Sequence, residues 1–290
     1  MTSSPTSKPG SAHPEKWQDR KMYFQVNGKQ VFASTGGKAF DNTKPVVIFL
    51  HGSGLDHTFW GLHTRFFAFR NYSVLAPDLP GHTHSEGPQL FSIEAMADWL
   101  HDVVSTLGGG NISLVAHSQG CLVALEFATR YPENLRSVSF IASGLATPVN
   151  PALIKSAEKN PEAAIAMMMS WGFGLAGHLH QGPIPGNSMI AGGKKVMRGN
   201  VPNELTADLK ACNAYINGEV AAGGITCPRQ VILGGQDRMA PRKAGLALAS
   251  GLGDPQLNII AESGHMVPLE APNQCRKLLK DFIFSNNPSI

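Results

Sequence analysis

Three side chains far apart in this sequence have the types needed to turn a hydroxyl into a nucleophile: Ser118, Asp237 and His265. A serine attacks poorly until a base takes its proton, and an imidazole serves as that base once a carboxylate fixes its tautomer and stabilises its charged form. Ser118 lies in Ile112-Ser113-Leu114-Val115-Ala116-His117-Ser118-Gln119-Gly120, which reads as strand, sharp turn, helix. Ala116 and Gly120 are small, as a tight turn under a closely packed helix requires. Such a turn lifts the hydroxyl above the sheet edge at a helix N-terminus, where the dipole favours developing negative charge. His265 follows the last expected strand in Glu262-Ser263-Gly264-His265-Met266-Val267-Pro268. Asp237 follows another in Gly234-Gly235-Gln236-Asp237-Arg238.

Other candidates compete less well. His51 and His117 are nearer Ser118 in sequence, yet both read as structural residues. Ser143-Gly144-Leu145, after the preceding strand, offers no carboxylate, which favours Asp237 as the acid. Asp78 reads as a turn-stabilising carboxylate and Cys121 as a small buried hydrophobe. His178 and His180 form a lone HxH without the further ligands a metal site needs. Met167 to Met169 and Trp171 suit an apolar face, as an acyl pocket or as core packing.

The elements that must position these residues alternate along the chain. Lys21 to Val26 and Lys29 to Thr35 read as strands joined at Asn27-Gly28, a hairpin signal. Short apolar runs at 46–50, 73–76, 112–116, 137–142, 230–233 and 257–260 suit strands buried on both faces of a parallel sheet. Helical patterns fall between them at 93–107, stopped by Gly108 to Gly110, and at 119–130, 242–249 and 274–282. The fold class expected is therefore α/β, a mostly parallel, doubly wound, eight-stranded sheet covered on both sides. From 146 to 225 no strand is convincing. Helical pieces at 151–158, 161–171 and 204–216, separated by a Gly/Pro-rich stretch from 172 to 193, read as an inserted helical cap. The domain expectation is a disordered leader or expression remnant over 1–20, a core over 21–145 and 226–290, and a cap over 146–225.

The 290 residues can bury a sizeable core, and 42% hydrophobic with 16% charged residues is a globular profile. A net charge of +3 with scattered basic residues argues against a nucleic-acid partner. The four cysteines show no CxxC pair, no metal-ligand spacing and no support for disulfides, which points to a reducing, cytoplasmic setting. The Ser/Pro/Thr/Lys-rich N-terminus lacks the apolar run of a signal peptide, and no segment is long and apolar enough to span a bilayer. There is no GxGxxG after a strand and no P-loop sequence.

The order Ser, Asp, His along the chain, with the serine on a strand-to-helix turn, resembles the α/β-hydrolase superfamily, in its cofactor-free, lid-bearing branch. Ala116 stands where the commonest form of that turn has glycine. His51-Gly52-Ser53-Gly54, with Trp60 following, resembles the oxyanion loop of that branch. Pro77-Asp78-Leu79-Pro80-Gly81-His82 resembles the family's turn after the next strand. The resemblance covers roughly Met22 to Phe284. It implies a triad of Ser118, Asp237 and His265, an oxyanion hole from the backbone N–H groups of Ser53 and Gln119, and no cofactor or metal. Gly52, His117, Met168, Trp171 and Met266 are the candidate substrate contacts.

The activity expected is hydrolysis of a small or medium carboxylic ester, with a small acyl substrate and water as partners; a homodimer stays open. Carbon–carbon cleavage of vinylogous diketones uses the same triad. No clear arginine clamp for an acidic dienoate stands out, Arg198 being the weak candidate. Thioester and lactone cleavage remain open, as does a ligand-sensing protein on the same fold. Haloalkane dehalogenases and epoxide hydrolases are set aside because position 118 is not aspartate.

Overall fold

Asn27 and Gly28 both take positive φ, 50° and 74°, and the tight turn they make pairs β1 (Lys21–Val26) with β2 (Lys29–Ser34) in antiparallel register. The structure, a computed structural model, describes residues 21–200 and 203–287, so the leader expected over 1–20 lies outside the described residues. β3 (Val46–Leu50), β4 (Ser73–Pro77), β5 (Ile112–His117), β6 (Leu135–Ile141), β7 (Arg229–Gly234) and β8 (Gln256–Ile260) complete an eight-stranded sheet. Its order is β1-β2-β4-β3-β5-β6-β7-β8, antiparallel at β1 and β2 and parallel from β4 onward. This is the mostly parallel α/β architecture that the alternating runs predict.

Alternation within the strands divides the core. Ile48, Leu50, Leu114 and Ala116 face one side; Val47, Phe49 and Val115 face the other. The first side packs on α2 (Ile93–Thr106) and α3 (Gln119–Arg130). The second packs on α1 (Gly61–Ala68) and α12 (Pro272–Ser285). α2 forms because Ser92 caps it, accepting from the Ala95 N–H, while Ile93, Met96, Ala97, Leu100, Val103 and Val104 bury one stripe.

Between β6 and β7 run α4 (Pro151–Lys159), α5 (Pro161–Gly172), α6 (Leu175–His178), α7 (Met189–Arg198), α8 (Glu204–Ala214) and α9 (Gly218–Gly223). Asn150 and Asn160 cap α4 and α5, each followed by proline in the first helical position. α10 (Arg242–Gly251) and α11 (Val267–Glu270) flank β8.

Two expectations change. The stretch to Gly193 is not simply a connector, because α7 starts at Met189 behind a Ser188 cap. Gly192 and Gly193 weaken the helical signal, yet Gly193 lies so close to Met169 that a Cβ there would sit 2.4 Å from its sulfur. Packing against α5 outweighs propensity. β8 is not buried on both faces: as the outermost strand it leaves Leu257 and Ile259 exposed. Among the described residues no helix is long and apolar enough to cross a membrane.

β3 and β5 are neighbours, with Leu50 opposite Ala116, although β4 lies between them in sequence. The connection leaving β3 runs through α1 on one side of the sheet and that leaving β5 through α3 on the other, which creates a crevice at the carboxyl ends of these strands. α3 closes onto that point: a Cβ on Gly120 would meet the carbonyl oxygens of His51 and Leu50 at 2.7 and 2.8 Å. Gly120→Ala should therefore cost about 1–3 kcal/mol of stability in urea melts, as overpacking does; an unchanged midpoint would contradict the packing described.

Candidate active site

Ser118 sits between β5 and α3 with φ 53° and ψ −119°, a conformation that costs a non-glycine residue about 1–3 kcal/mol unless its surroundings hold it. Its N–H donates to the Ile141 carbonyl at 3.0 Å, and its carbonyl accepts from the Cys121 N–H at 2.8 Å. The Cys121 thiol reinforces the turn by donating toward the Ala116 and Ile141 carbonyls and accepting the Ile141 N–H. Burial pushes that thiol up to about 12, so it stays protonated as a structural group.

The three distant residues converge. His265 Nε2 lies 2.9 Å from Ser118 Oγ, and its Nδ1 lies 2.9 Å from Asp237 Oδ2. Asp237 Oδ1 accepts the N–H groups of Met239 and Ala240, both at 2.8 Å. A buried carboxylate can only accept, so Nδ1 carries the imidazole proton and Nε2 presents its lone pair to the serine hydroxyl. The His265 loop is held from two sides: its N–H donates to the Gly172 carbonyl at the end of α5, and its carbonyl accepts from His117 Nε2 at 3.0 Å. Burial first, then the neighbouring His265, lowers His117 well below the ordinary histidine range, so it acts as a neutral donor.

Gly52 to Gly54 leave β3 directly beside Ser118. A Cβ on Gly52 would approach Ser118 Cβ to 2.9 Å and His117 Nδ1 to 3.0 Å. His51 fixes this loop as a neutral ring: Nε2 accepts the Leu79 N–H, so the proton is on Nδ1, which donates to the Gly52 carbonyl. Burial, aided by His82, lowers its pKa to about 4. The Leu55 N–H returns to Gly52 and the Gly54 N–H is taken by Asp208, which leaves the Ser53 N–H without an acceptor among the described residues. The Gln119 N–H opens α3, where helix geometry supplies no acceptor.

A cavity of about 390 Å³ opens over Ser118 and His265. Gly52, Ser53, His117, Met168, Trp171 and Met266 all line it. Asp237 does not; it lies behind His265. Gln119 does not either, because its side chain turns away toward Asp208. Residues the sequence reading missed in the wall include Leu55, Leu153, Leu209, Cys212, Arg238 and Met239. Arg198 forks onto Glu162 at the surface, and the arginine in the cavity wall is Arg238, a neighbour of Asp237 visible in the sequence but unremarkable there. His178 instead reaches the Ser170 carbonyl. Asp78 accepts the His84 N–H within its own turn and the His57 N–H groups from the segment after β3.

Behind the Gly52–Gly54 loop lies a buried group that sequence reading also missed: His82, Glu204 and Asp208. His82 ion-pairs with Glu204 and lies 3.1 Å from Asp208. Their ligand atoms fall within 4.8 Å of one another, close enough for a cation, but the group balances its charge without one. Burial opposes a charged His82, yet Asp208 and Glu204 outweigh it and raise its pKa well above 6.5. Burial, aided by Asp208, pushes Glu204 up to about 8, so near neutrality it holds its proton. Burial also opposes the Asp208 charge, and His82 more than offsets it.

The model of the alpha/beta hydrolase family matches residues 47–278. The chain belongs to the alpha/beta hydrolase family. Protein ABHD8 of Mus musculus is 27% identical to this family member over 288 residues, which is 96% of the chain and 63% of the mouse protein. The Bos taurus protein of the same name is 28% identical over 82% of the chain and 56% of its own length. The chain thus spans between half and two thirds of these curated relatives. An enol-lactonase from Burkholderia xenovorans LB400 superposes with a TM-score of 0.80 at 20% identity, covering 90% of this chain and 99% of that one. The esterase EaEST from Exiguobacterium antarcticum gives 0.80 at 14% identity, covering 90% and 98%. At these identities the likeness is one of fold.

The titration of Glu204 gives this family member a pH-dependent stability. Its folded state binds that proton more tightly than the unfolded chain, so the contribution is complete below 4.5 and is lost as pH rises through about 8. Between about pH 5 and about pH 9, thermal melts of the unaltered chain should fall relative to those of Glu204→Gln; parallel curves would contradict it.

Proposed function

We propose that this chain is a serine hydrolase that cleaves a small or medium carboxylic ester through an acyl-enzyme on Ser118. The observation that carries the reading is the unbroken hydrogen-bonded path from Asp237 through His265 to Ser118, ending in the cavity. His265 takes the hydroxyl proton as Ser118 attacks the carbonyl, and Asp237 stabilises the imidazolium. The N–H groups of Ser53 and Gln119 receive the developing oxyanion. The imidazolium then protonates the leaving alcohol, and water, activated by the same base, frees the acid.

In this reading residues 146–225 form a cap over a core made of 21–145 and 226–290, with Met168 and Trp171 on the acyl side of the cavity. The cavity volume suits a small ligand, and its wall mixes apolar side chains such as Leu153, Met168 and Trp171 with polar ones such as Thr147, Asn150 and Arg238. The esterase and enol-lactonase among the fold neighbours are in keeping with this chemistry. A reducing, cytoplasmic setting belongs to the same proposal, supported by the four free cysteines.

Arg238 in the wall favours one rival, carbon–carbon cleavage of an acidic vinylogous diketone, because a carboxylate-bearing substrate would find a cation there. A side-by-side assay of aryl esters and a ring-fission product separates the two. Ser118→Ala should lower kcat about 10⁴–10⁶-fold and abolish fluorophosphonate labelling, and Asp237→Asn should lower kcat about 10⁴-fold. Unchanged turnover in Ser118→Ala would end the proposal.

A further inference from the structure

Asp208 lies in α8, outside the cavity lining, yet its carboxylate reaches both sides of the proposed oxyanion hole from behind. Oδ2 accepts the Gly54 N–H at 2.9 Å, one residue after Ser53. Oδ1 accepts from Gln119 Nε2 at 3.0 Å, on the residue whose own N–H is the second donor. A carboxylate oxygen has no proton to give, so the Gln119 amide must present its NH₂ there. One side chain from the β6–β7 connection thus fixes the separation of two backbone donors that come from β3 and from α3.

The cost of placing a carboxylate there is high. Glu204 and Asp208 are one helical turn apart on α8, both buried, and because two like charges at that spacing would repel, Glu204 keeps its proton near neutrality and leaves the charge on Asp208. His82 sits against both, with its Nδ1 facing the Pro80 carbonyl at 3.3 Å. Its positive charge also keeps Asp208 from opposing a negative charge that develops in front of the loop.

We propose that Asp208, held by His82 and Glu204, is a positioning residue that sets the geometry of the oxyanion hole. The proposal rests on the hydrolase reading above. Donor placement matters steeply: a shift of about 1 Å at a reacting centre can cost about 100-fold in rate.

The test compares the full chain with Asp208→Ala and Asp208→Asn, on a p-nitrophenyl ester and by hydrogen exchange of the peptide containing Gly54. Asp208→Ala should lower kcat about 10–100-fold with KM within about two-fold, the pattern of an interaction made in the transition state. Asp208→Asn keeps an acceptor for the Gly54 N–H, and a reversed Gln119 amide can accept from its NH₂, so most of kcat should return. Exchange at Gly54 should accelerate in Asp208→Ala and recover in Asp208→Asn. An Asp208→Ala chain with wild-type kcat, or with its whole loss in KM, overturns the proposal. So does activity that disappears on exhaustive chelation and returns with zinc or manganese, since the three residues would then hold a metal. If the unaltered chain cleaves no ester, the hydrolase reading fails separately. The exchange result then decides the anchor: unchanged protection in Asp208→Ala removes it, and lost protection sustains it.

Discussion

β3 and β5 exchange hydrogen bonds along their length, with Leu50 opposite Ala116, and so the loops that leave them emerge side by side. The spacing at that edge is set by contact rather than by reach. Gly52 has no room for a side chain against Ser118, and Gly120 has none against the backbone of β3. Two loops from different parts of the chain are pressed together at van der Waals distance, and the positive φ of Ser118 is held there by hydrogen bonds to β6 and within α3. The other parts of the site have only to bring an imidazole and a carboxylate to a hydroxyl whose position is already fixed.

Around that edge the histidines divide by charge. His51 and His117 are buried, neutral and locked in one tautomer each, and they serve as hydrogen-bonding struts for the Gly52 loop and the His265 loop. His82, equally buried, lies between Asp208 and Glu204 and is held in its charged form. Desolvation acts on all three alike; what differs is that His82 alone of the three touches acidic side chains that offset it. Neutral struts suit a site where negative charge must appear without competition. The group of His82, Glu204 and Asp208 stands behind the loop, where the charges of His82 and Asp208 offset each other.

The parts of this arrangement that are local in sequence were legible there. Ser118, Asp237 and His265 each follow an apolar strand run, and strand ends in a parallel sheet converge on one edge, so their order, together with the resemblance to the α/β-hydrolase pattern, was enough to group them. The hairpin at Asn27-Gly28 and the stripe of α2 were legible for the same reason. What escaped depends on partners far away. Glu204 and Asp208 look like ordinary charged helix residues until α8 is laid against His82, over 120 positions earlier. α7 was hidden by Gly192 and Gly193, and the second of them makes room for a methionine of α5. Arg198 and Arg238 are indistinguishable by type, and only packing sends one to Glu162 and the other to the cavity wall.

On the proposed mechanism the hydroxyl of Ser118 becomes covalently acylated with His265 as its base. Mixing the chain with a p-nitrophenyl ester, quenching in acid within the first turnover and mapping the peptides by mass tests it directly. The acyl mass is expected on the peptide carrying Ser118, forming far more slowly in His265→Ala. Turnover with no acyl group on that peptide, or acylation as fast without the imidazole, would contradict it.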